Sequence, residues 1–266
     1  MLSFSAQRLV LIAIAAFVAC VIPINASAAL VNLFESDNNS GNIFQFTPAG
    51  AQSTFASGLD DPSGLAFDSV ANLFEADNNS GTIFEFTPGG VRSTFATGLN
   101  QPTGLVFDAA GNLFVADTNS GSIFKFTAGG VRSTFATALS APYGLAFDSA
   151  GNLYESDNNS GTIFKFTSGG VQSTFATGLN HPRGLVFDSA GNLFVANAGT
   201  GSILEFTPGG VQSTFATGLS LPDFLAFNVG AVPEPASCAI IAGFLALVVA
   251  IEQVRSRRRR RIEEST

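Results

Sequence analysis

Several residue types that usually carry chemistry are rare in this sequence of 266 residues, which has no tryptophan, one histidine and two cysteines. Cys20 and Cys238 both lie near the chain ends, so the central region can form no internal disulfide and no cysteine-ligated zinc site. His181, the single histidine, fits no Ser-His-Asp or Cys-His arrangement. Stability therefore has to come from apolar packing, for which the chain carries 27 phenylalanines.

Positive charge is also scarce away from the ends. Arg8 lies near the N-terminus and six of the 12 basic residues lie beyond residue 254. Residues 29–231 keep five basic and sixteen acidic side chains, and five minus sixteen gives a formal charge of −11. A domain of this charge repels nucleic acid and anionic lipid, so we expect no nucleic-acid partner.

The middle of the chain consists of one 40-residue unit repeated five times without insertion or gap. The units are 32–71, 72–111, 112–151, 152–191 and 192–231. Internal repeats of this period are typical of propellers and solenoids.

Each unit alternates short apolar runs with turn residues. The second unit reads NLFEAD, NNSG, TIFEFT, PGG, VRSTFATGL, NQPTG and LVFD, which predicts four antiparallel strands and no helix. Pro88-Gly89 suits a type II turn, and Asp108 in DAAGN can accept hydrogen bonds from its own turn.

The strands are apolar on both faces, so each sheet must be covered on both sides, as blades around an axis are. The repeat block opens on a second strand and closes on a first strand, so Leu225–Asn228 is predicted to pair with Leu33–Ser36 and close the ring. The sequence thus predicts an all-β, five-bladed β-propeller of four-stranded antiparallel blades. The alternatives are a six-bladed ring that lacks one blade and a partial ring that self-associates.

The phrase PxGLxFDxxGNLFVAD, found at Pro102–Asp117 and in similar form at Pro182–Asn197, resembles the NHL-type blade. It also resembles the blades of SMP-30, gluconolactonases and streptogramin lyases, and the resemblance covers all five units. WD40 blades are disfavoured because no Gly-His to Trp-Asp signature is present. In SMP-30-like lactonases, metal ligands include Asn and Asp from Pro-Asn-Gly and Pro-Asp-Gly in the inter-blade loop. Here only Pro222-Asp223 matches, and Phe224 stands where the glycine should be.

The N-terminal residues 1–28 read as a secretory signal peptide. Arg8 precedes an apolar run at 9–22, and Ala26-Ser27-Ala28 supplies small residues for signal peptidase. The alternative is a poor lipobox that ends at Cys20 and would make this cysteine a lipidated N-terminus.

The C-terminal residues 232–266 resemble the PEP-CTERM sorting tail of bacterial envelope proteins. The motif residues Pro233, Glu234 and Pro235 precede sixteen apolar or small residues that predict a transmembrane helix at 236–251, and then a basic run that stops membrane passage: Arg257, Arg258, Arg259, Arg260 and Arg261. The resemblance implies cleavage by an exosortase and release to the cell surface or extracellular matrix of a bacterium. The alternative is a permanent membrane anchor.

Two rings of repeated acidic residues raise the question of a calcium site. One comprises the loop residues Asp37, Asp77, Asp117 and Asp157, and the other the strand-end residues Asp68, Asp108, Asp148 and Asp188. Calcium needs several oxygens that converge on one point, whereas a hairpin loop with one carboxylate supplies few. We therefore expect these carboxylates to bind their own turns, and we expect no metal and no cofactor.

The repeats disagree most in the loop before each innermost strand. Between Pro and Gly the units carry Ser63, Thr103, Tyr143, Arg183 and Asp223, and His181 precedes the fourth proline. These loops open at one mouth of a propeller channel, which predicts a ligand site for a glycan, the matrix or a protein. The favoured function is a non-catalytic, exported propeller that binds there, and neutral drift of exposed loops is the competing interpretation. The enzyme alternatives are an SMP-30-type lactonase or esterase with a metal at Asp223, and a streptogramin-lyase-like enzyme that uses His181 and Arg183.

Overall fold

The computed structural model describes residues 32–225, which form an all-β, five-bladed β-propeller. The predicted signal peptide, sorting motif, transmembrane helix and arginine run lie outside the described residues. Within residues 32–225, no helix has the length and apolar character needed to cross a membrane.

Each strand pairs antiparallel with the next one along the chain inside its own blade. Blade 1 comprises β1–β3, blade 2 β4–β7, blade 3 β8–β11, blade 4 β12–β15 and blade 5 β16–β19. The strands are β1 Leu33–Asp37, β2 Asn42–Phe46, β3 Gln52–Ser57, β4 Pro62–Phe67, β5 Leu73–Asp77, β6 Thr82–Phe86, β7 Arg92–Ala96, β8 Pro102–Phe107, β9 Leu113–Asp117, β10 Ser122–Phe126, β11 Arg132–Ala136, β12 Pro142–Phe147, β13 Leu153–Asp157, β14 Thr162–Phe166, β15 Gln172–Ala176, β16 Pro182–Phe187, β17 Leu193–Asn197, β18 Ser202–Phe206 and β19 Gln212–Ala216.

The described part of blade 1 has three strands, because its expected first strand would come from residues 225–228. Leu225 is described and belongs to no strand, whereas residues 226–228 lie outside the described part, so the closing strand stays a prediction.

Two local predictions differ from the structure. Gly90 has the positive φ, +79°, and its amide donates to the Thr87 carbonyl, so the Pro88-Gly89 turn is not type II and positive φ falls one residue later. A short 3₁₀ helix at Ala198–Thr200 lies in the fifth unit, where AGT replaces the NNS or TNS of the other loops.

The core lies between the blades, as apolar residues on both strand faces predicted. Phe74 and Ala76 of blade 2 pack with Leu113 and Val115 of blade 3. The Phe74 ring meets Phe107 edge-on at 5.0 Å. The same packing recurs around Phe34, Phe114 and Tyr154. Each fully buried ring or aliphatic side chain contributes roughly 1.5–3 kcal/mol through removal from water.

Glycines bring the innermost strands of neighbouring blades into backbone contact. A Cβ atom at Gly104 would lie 2.2 Å from the Tyr143 carbonyl oxygen, and the corresponding distance from Gly144 to the Arg183 oxygen is 2.3 Å. Gly64 and Gly184 make the same approach to Thr103 and Asp223. The side chain that follows each proline is therefore positioned by the neighbouring blade.

Candidate functional site at the channel mouth

The loops that enter the innermost strands are held by buried carboxylates. Asp77 Oδ2 accepts a 2.8 Å hydrogen bond from the Asp60 amide, and Asp117 Oδ1 accepts one of 2.9 Å from the Asn100 amide. Burial raises the pKa of Asp117 despite these bonds. The Asp77 ring thus fixes the mouth loops as well as its own turns, which goes beyond the role that the repeats alone predicted.

The second acidic ring binds its own turns as predicted. Asp108 Oδ1 accepts hydrogen bonds from the Ala110 and Asn112 amides at 2.9 and 2.8 Å. Burial alone would raise the pKa of Asp108, but the hydrogen bonds from Asn112 and Ala110 outweigh burial and lower it. Within residues 32–225, no group of three or more His, Cys, Asp and Glu side chains is arranged to hold a metal ion.

A cavity of about 660 Å³ lies at the centre of the ring of inner strands. Ser63, Thr103, Tyr143 and Asp223 line it, together with Phe224. Four of the six predicted site residues therefore share one concave space, although they are separated by 40 residues or more in sequence.

Side chains from two repeats converge on a carboxylate that a third repeat supplies. Tyr143 Oη donates to Asp223 Oδ2 at 3.2 Å, and Arg183 Nη1 donates to the same oxygen at 3.1 Å. The Arg183 guanidinium also lies 5.5 Å from the centre of the Tyr143 ring, and Phe224 stacks on that ring at 5.8 Å. We call Tyr143, Arg183, Asp223 and Phe224 the mouth cluster.

The mouth cluster is only partly satisfied. Asp223 Oδ1 and Arg183 Nε are buried and have no hydrogen-bond partner within the described residues. Burial raises the pKa of Asp223 against the opposing effect of Arg183. Burial, followed by the Asp223 charge, also raises the pKa of Tyr143 above its usual range, so the phenol keeps its proton and remains a donor. Each unsatisfied buried polar atom costs roughly 1–3 kcal/mol. A fold retains such atoms where they serve a purpose.

The other predicted residues have different roles. Thr103 is buried, and its hydroxyl lies 2.9 Å from Thr118 Oγ1 and donates to the Tyr143 carbonyl at 3.2 Å, so it ties the blades together. His181 is exposed and has a positive φ of 50°. Its Nδ1 atom lies 3.2 Å from Asn158 Oδ1, and the residue does not line the cavity. Arg183 does not line the cavity itself and contacts two residues that do, Asp223 and Tyr143.

Sequence reasoning missed the contribution of Phe224 to this site. The residue replaces a glycine that the other units keep, and this was treated only as a departure from a metal motif. In the structure its side chain covers Tyr143 at the cavity wall. The sequence signal that could have found it was the loss of this glycine. The other four units keep a glycine here, because the backbones of adjacent blades meet at this position.

The comparisons with known proteins agree on the fold. The NHL repeat model matches residues 99–126, which span the end of the second unit and the first half of the third and contain β8, β9 and β10 of blade 3. A comparison with curated protein sequences finds no match. The chain therefore has the architecture of a β-propeller with an NHL-type repeat.

Solved structures similar to this chain include proteins of different activities. A gluconolactonase from Xanthomonas campestris shares 18% identity at a TM-score of 0.67, over 75% of this chain and 76% of that one. A catalytically inactive virginiamycin B lyase from Staphylococcus aureus with quinupristin shares 16% identity at 0.65, over 76% and 72%. A nidogen/laminin complex gives 25% identity at 0.67, over 74% and 82%. The two enzymes, at this identity, are evidence for the fold alone.

Proposed function

We propose that this protein is an exported, non-catalytic β-propeller of the cell surface or extracellular matrix that binds a ligand or partner at its channel mouth. The observation that carries the proposal is the convergence of Tyr143 and Arg183 on Asp223, at one of the two loop positions where all five repeats differ. Uniform repeats are sufficient to build the ring, so three matched but different side chains at one mouth suit recognition.

A binding role is favoured over catalysis by the way the polar groups are used. Asp223 Oδ2 is already held by Tyr143 and Arg183, and His181 lies outside the cavity lining. His181, whose Nδ1 lies 3.2 Å from Asn158 Oδ1, forms no Ser-His-Asp or Cys-His arrangement within the described residues. A glycan, a matrix component or a protein loop would bind against the polar wall and the exposed Phe224 ring.

The second candidate function is a lactonase or esterase with a divalent ion at Asp223. Its support is the fold likeness to a gluconolactonase and the free Oδ1 atom of Asp223. A lyase-like enzyme is a further alternative, but His181 and Arg183 would have to act together, and only Arg183 joins the mouth cluster.

Export and sorting remain part of the proposal. Signal peptidase would remove residues 1–28, and an exosortase-type protease would cut near Pro233-Glu234-Pro235 while Arg257–Arg261 hold the end of the chain in the cytoplasm. The membrane would then be a transient partner, and the acidic repeat region the exported cargo.

Binding of the full-length chain, kept in mild detergent, to glycan and small-molecule arrays tests the proposal. Arg183→Gln and Asp223→Asn should abolish the signal. Arg132→Gln is the matched control, because this arginine lies on an outer strand and three other repeats carry glutamine there. Absence of binding, or binding that survives both mouth variants, would contradict a mouth site.

Thermal unfolding and metal analysis of the same samples separate the alternatives. Loss of binding together with a large loss of stability would mean that the mouth cluster is a structural clasp. A stoichiometric divalent ion that Asp223→Asn removes, together with lactone hydrolysis, would favour the lactonase instead.

A further inference from the structure

One position inside the blades carries glutamate in some units and valine in others. It is the third residue of the strand that opens each unit, and the units carry Glu35, Glu75, Val115, Glu155 and Val195. Val115 and Val195 have no solvent exposure and belong to the apolar clusters between blades. Glu75 and Glu155 are equally buried, with 0% exposure, so a carboxyl group occupies the space of an isopropyl group.

These two glutamates face particular blade joints. Leu73 packs with Ile43 of blade 1, and Glu75 shares the Leu73 face because side chains alternate along a strand. Leu153 packs with Phe114 of blade 3, so Glu155 points into the joint between blades 3 and 4 by the same reasoning. Neither glutamate lines the central cavity.

Neither carboxyl group has a hydrogen-bond partner. All four oxygens of Glu75 and Glu155 are buried and unpaired within the described residues. A neutral carboxyl group tolerates such a site at a cost, whereas an ionised one has to lose its hydration without compensation.

The charged groups around the two sites do not compensate for ionisation. Asp77 and Arg92 act on Glu75, and Arg92 is already used by the Phe84 ring and the Gly58 carbonyl. The charged residues of the neighbouring strands β1 and β6 are all acidic: Glu35, Asp37 and Glu85.

The surroundings of Glu155 are similar. Asp157 is the charge that acts on it, β9 adds Asp117, and β14 adds Lys165, which is 3.6 Å from Asp148.

Burial is the main cause of the resulting shifts, and the neighbouring aspartate adds to it in both cases. Burial and the neighbouring aspartate together raise the pKa of Glu75 to about 9 and that of Glu155 well above its usual value. At neutral pH Glu75 is therefore protonated in the folded protein and ionised in the unfolded chain, and burial favours the protonated form of Glu155 in the same way.

We propose that Glu75 and Glu155 form a pH-sensitive switch in two blade joints, between blades 1 and 2 and between blades 3 and 4. The joints stay closed while both carboxyl groups carry their protons, and they loosen when the groups ionise. The joints lined by Val115 and Val195 lack this response. The ring therefore weakens at two defined places as the pH rises.

The direction of the effect follows from linkage. Because the folded-state pKa of Glu75 is raised, the stability that Glu75 confers is complete below its unfolded pKa of about 4.5 and is lost as the pH rises through about 9. Between these values the folded state holds one more proton at Glu75, so the unfolding equilibrium constant should rise by about tenfold per pH unit from this group. The pKa of Glu155 is raised by the same causes, so its ionisation adds a rise in the same direction.

Urea unfolding of the full-length chain between pH 5 and pH 8, followed by far-ultraviolet circular dichroism, tests the proposal. The wild-type equilibrium constant should rise with pH, by about tenfold per pH unit from Glu75 and by a further factor from Glu155. Glu75→Val/Glu155→Val, which copies the valine blades, should remove this slope and unfold at higher urea. Glu75→Gln/Glu155→Gln should also remove the slope, without reaching the valine midpoint, because it keeps a buried polar group.

Two further measurements keep the proposal falsifiable if the valine variant does not fold. Single Glu→Gln variants should each lower the logarithmic slope, and Glu75→Gln should remove about a tenfold change per pH unit. Hydrogen exchange at pH 8, corrected for intrinsic rates, should show more frequent opening of β5 and β13 than of β9 and β17. A wild-type slope near zero, an unchanged slope in the glutamine variants, or equal protection of the four strands would overturn the switch.

Discussion

Gly104→Ala tests whether the inner strands meet by backbone contact around the ring. The added Cβ would lie 2.2 Å from the Tyr143 carbonyl oxygen, 3.2 Å from the Leu145 nitrogen and 3.3 Å from the Gly144 Cα. Real Cβ atoms do not approach backbone oxygens closer than 3.0 Å, so blades 3 and 4 have to separate by about 1 Å at this point.

The expected cost lies at the upper end of the overpacking range. Inserting a methyl group into a packed region costs roughly 1–3 kcal/mol, and here the clashing atoms belong to the backbone and cannot rotate away. A loss of about 3 kcal/mol corresponds to a fall of about 6–12 °C in Tm for a domain of this size.

Calorimetry or thermal circular dichroism of the full-length chain measures this fall. Gly129→Ala is the matched control, because its new Cβ would find Thr127 Oγ1 at 3.9 Å as its nearest neighbour and its φ is not positive. The control should change Tm by no more than a few degrees. Equal melting of Gly104→Ala and Gly129→Ala would refute the close approach of the inner strands.

Three other predictions address the outer strands, the ring closure and the tail. Arg132 donates to the Gly98 carbonyl of the preceding blade at 3.2 Å, so Gln212→Arg should make the same link and add about 0.5–1 kcal/mol in urea unfolding; an unchanged midpoint would count against the link. Truncation after Gly218 should leave a soluble but aggregation-prone chain, and a truncated protein as monomeric and heat-stable as the parent would contradict closure by the final strand. Intact-mass measurement of surface protein should show a chain that ends near Pro235 and lacks all six tail arginines, whereas retention of those arginines would indicate a permanent anchor.

Much of the fold could be predicted because the repeat states its requirements five times. Apolar residues on both strand faces require a covered sheet, and the packing of Phe74 between Phe95 and Phe107 meets that requirement. The predicted type of the Pro88-Gly89 turn was wrong. Gly89 and Gly90 are both free to adopt positive φ, and only the geometry of the hairpin selects Gly90.

The candidate site was predictable in place but not in detail. Loop variation pointed to Tyr143, Arg183 and Asp223, because a ring of equal blades brings equivalent positions to one mouth. Variation alone could not separate Thr103, whose hydroxyl ties two blades, from Tyr143, whose hydroxyl donates to Asp223. That difference depends on side-chain direction and on the atoms of the neighbouring blade.

The sequence by itself determined the period, the strand pattern and the acidic character of the repeats, since these depend on local chemistry that every unit restates. The tertiary structure decided which groups lose water and which find partners. Glu75 and Val115 hold the same place in the repeat, and a sequence pattern shows them as polar and apolar alternatives. Only the packed blades show that both are fully buried, because burial depends on the face of the adjoining blade and not on the residue itself.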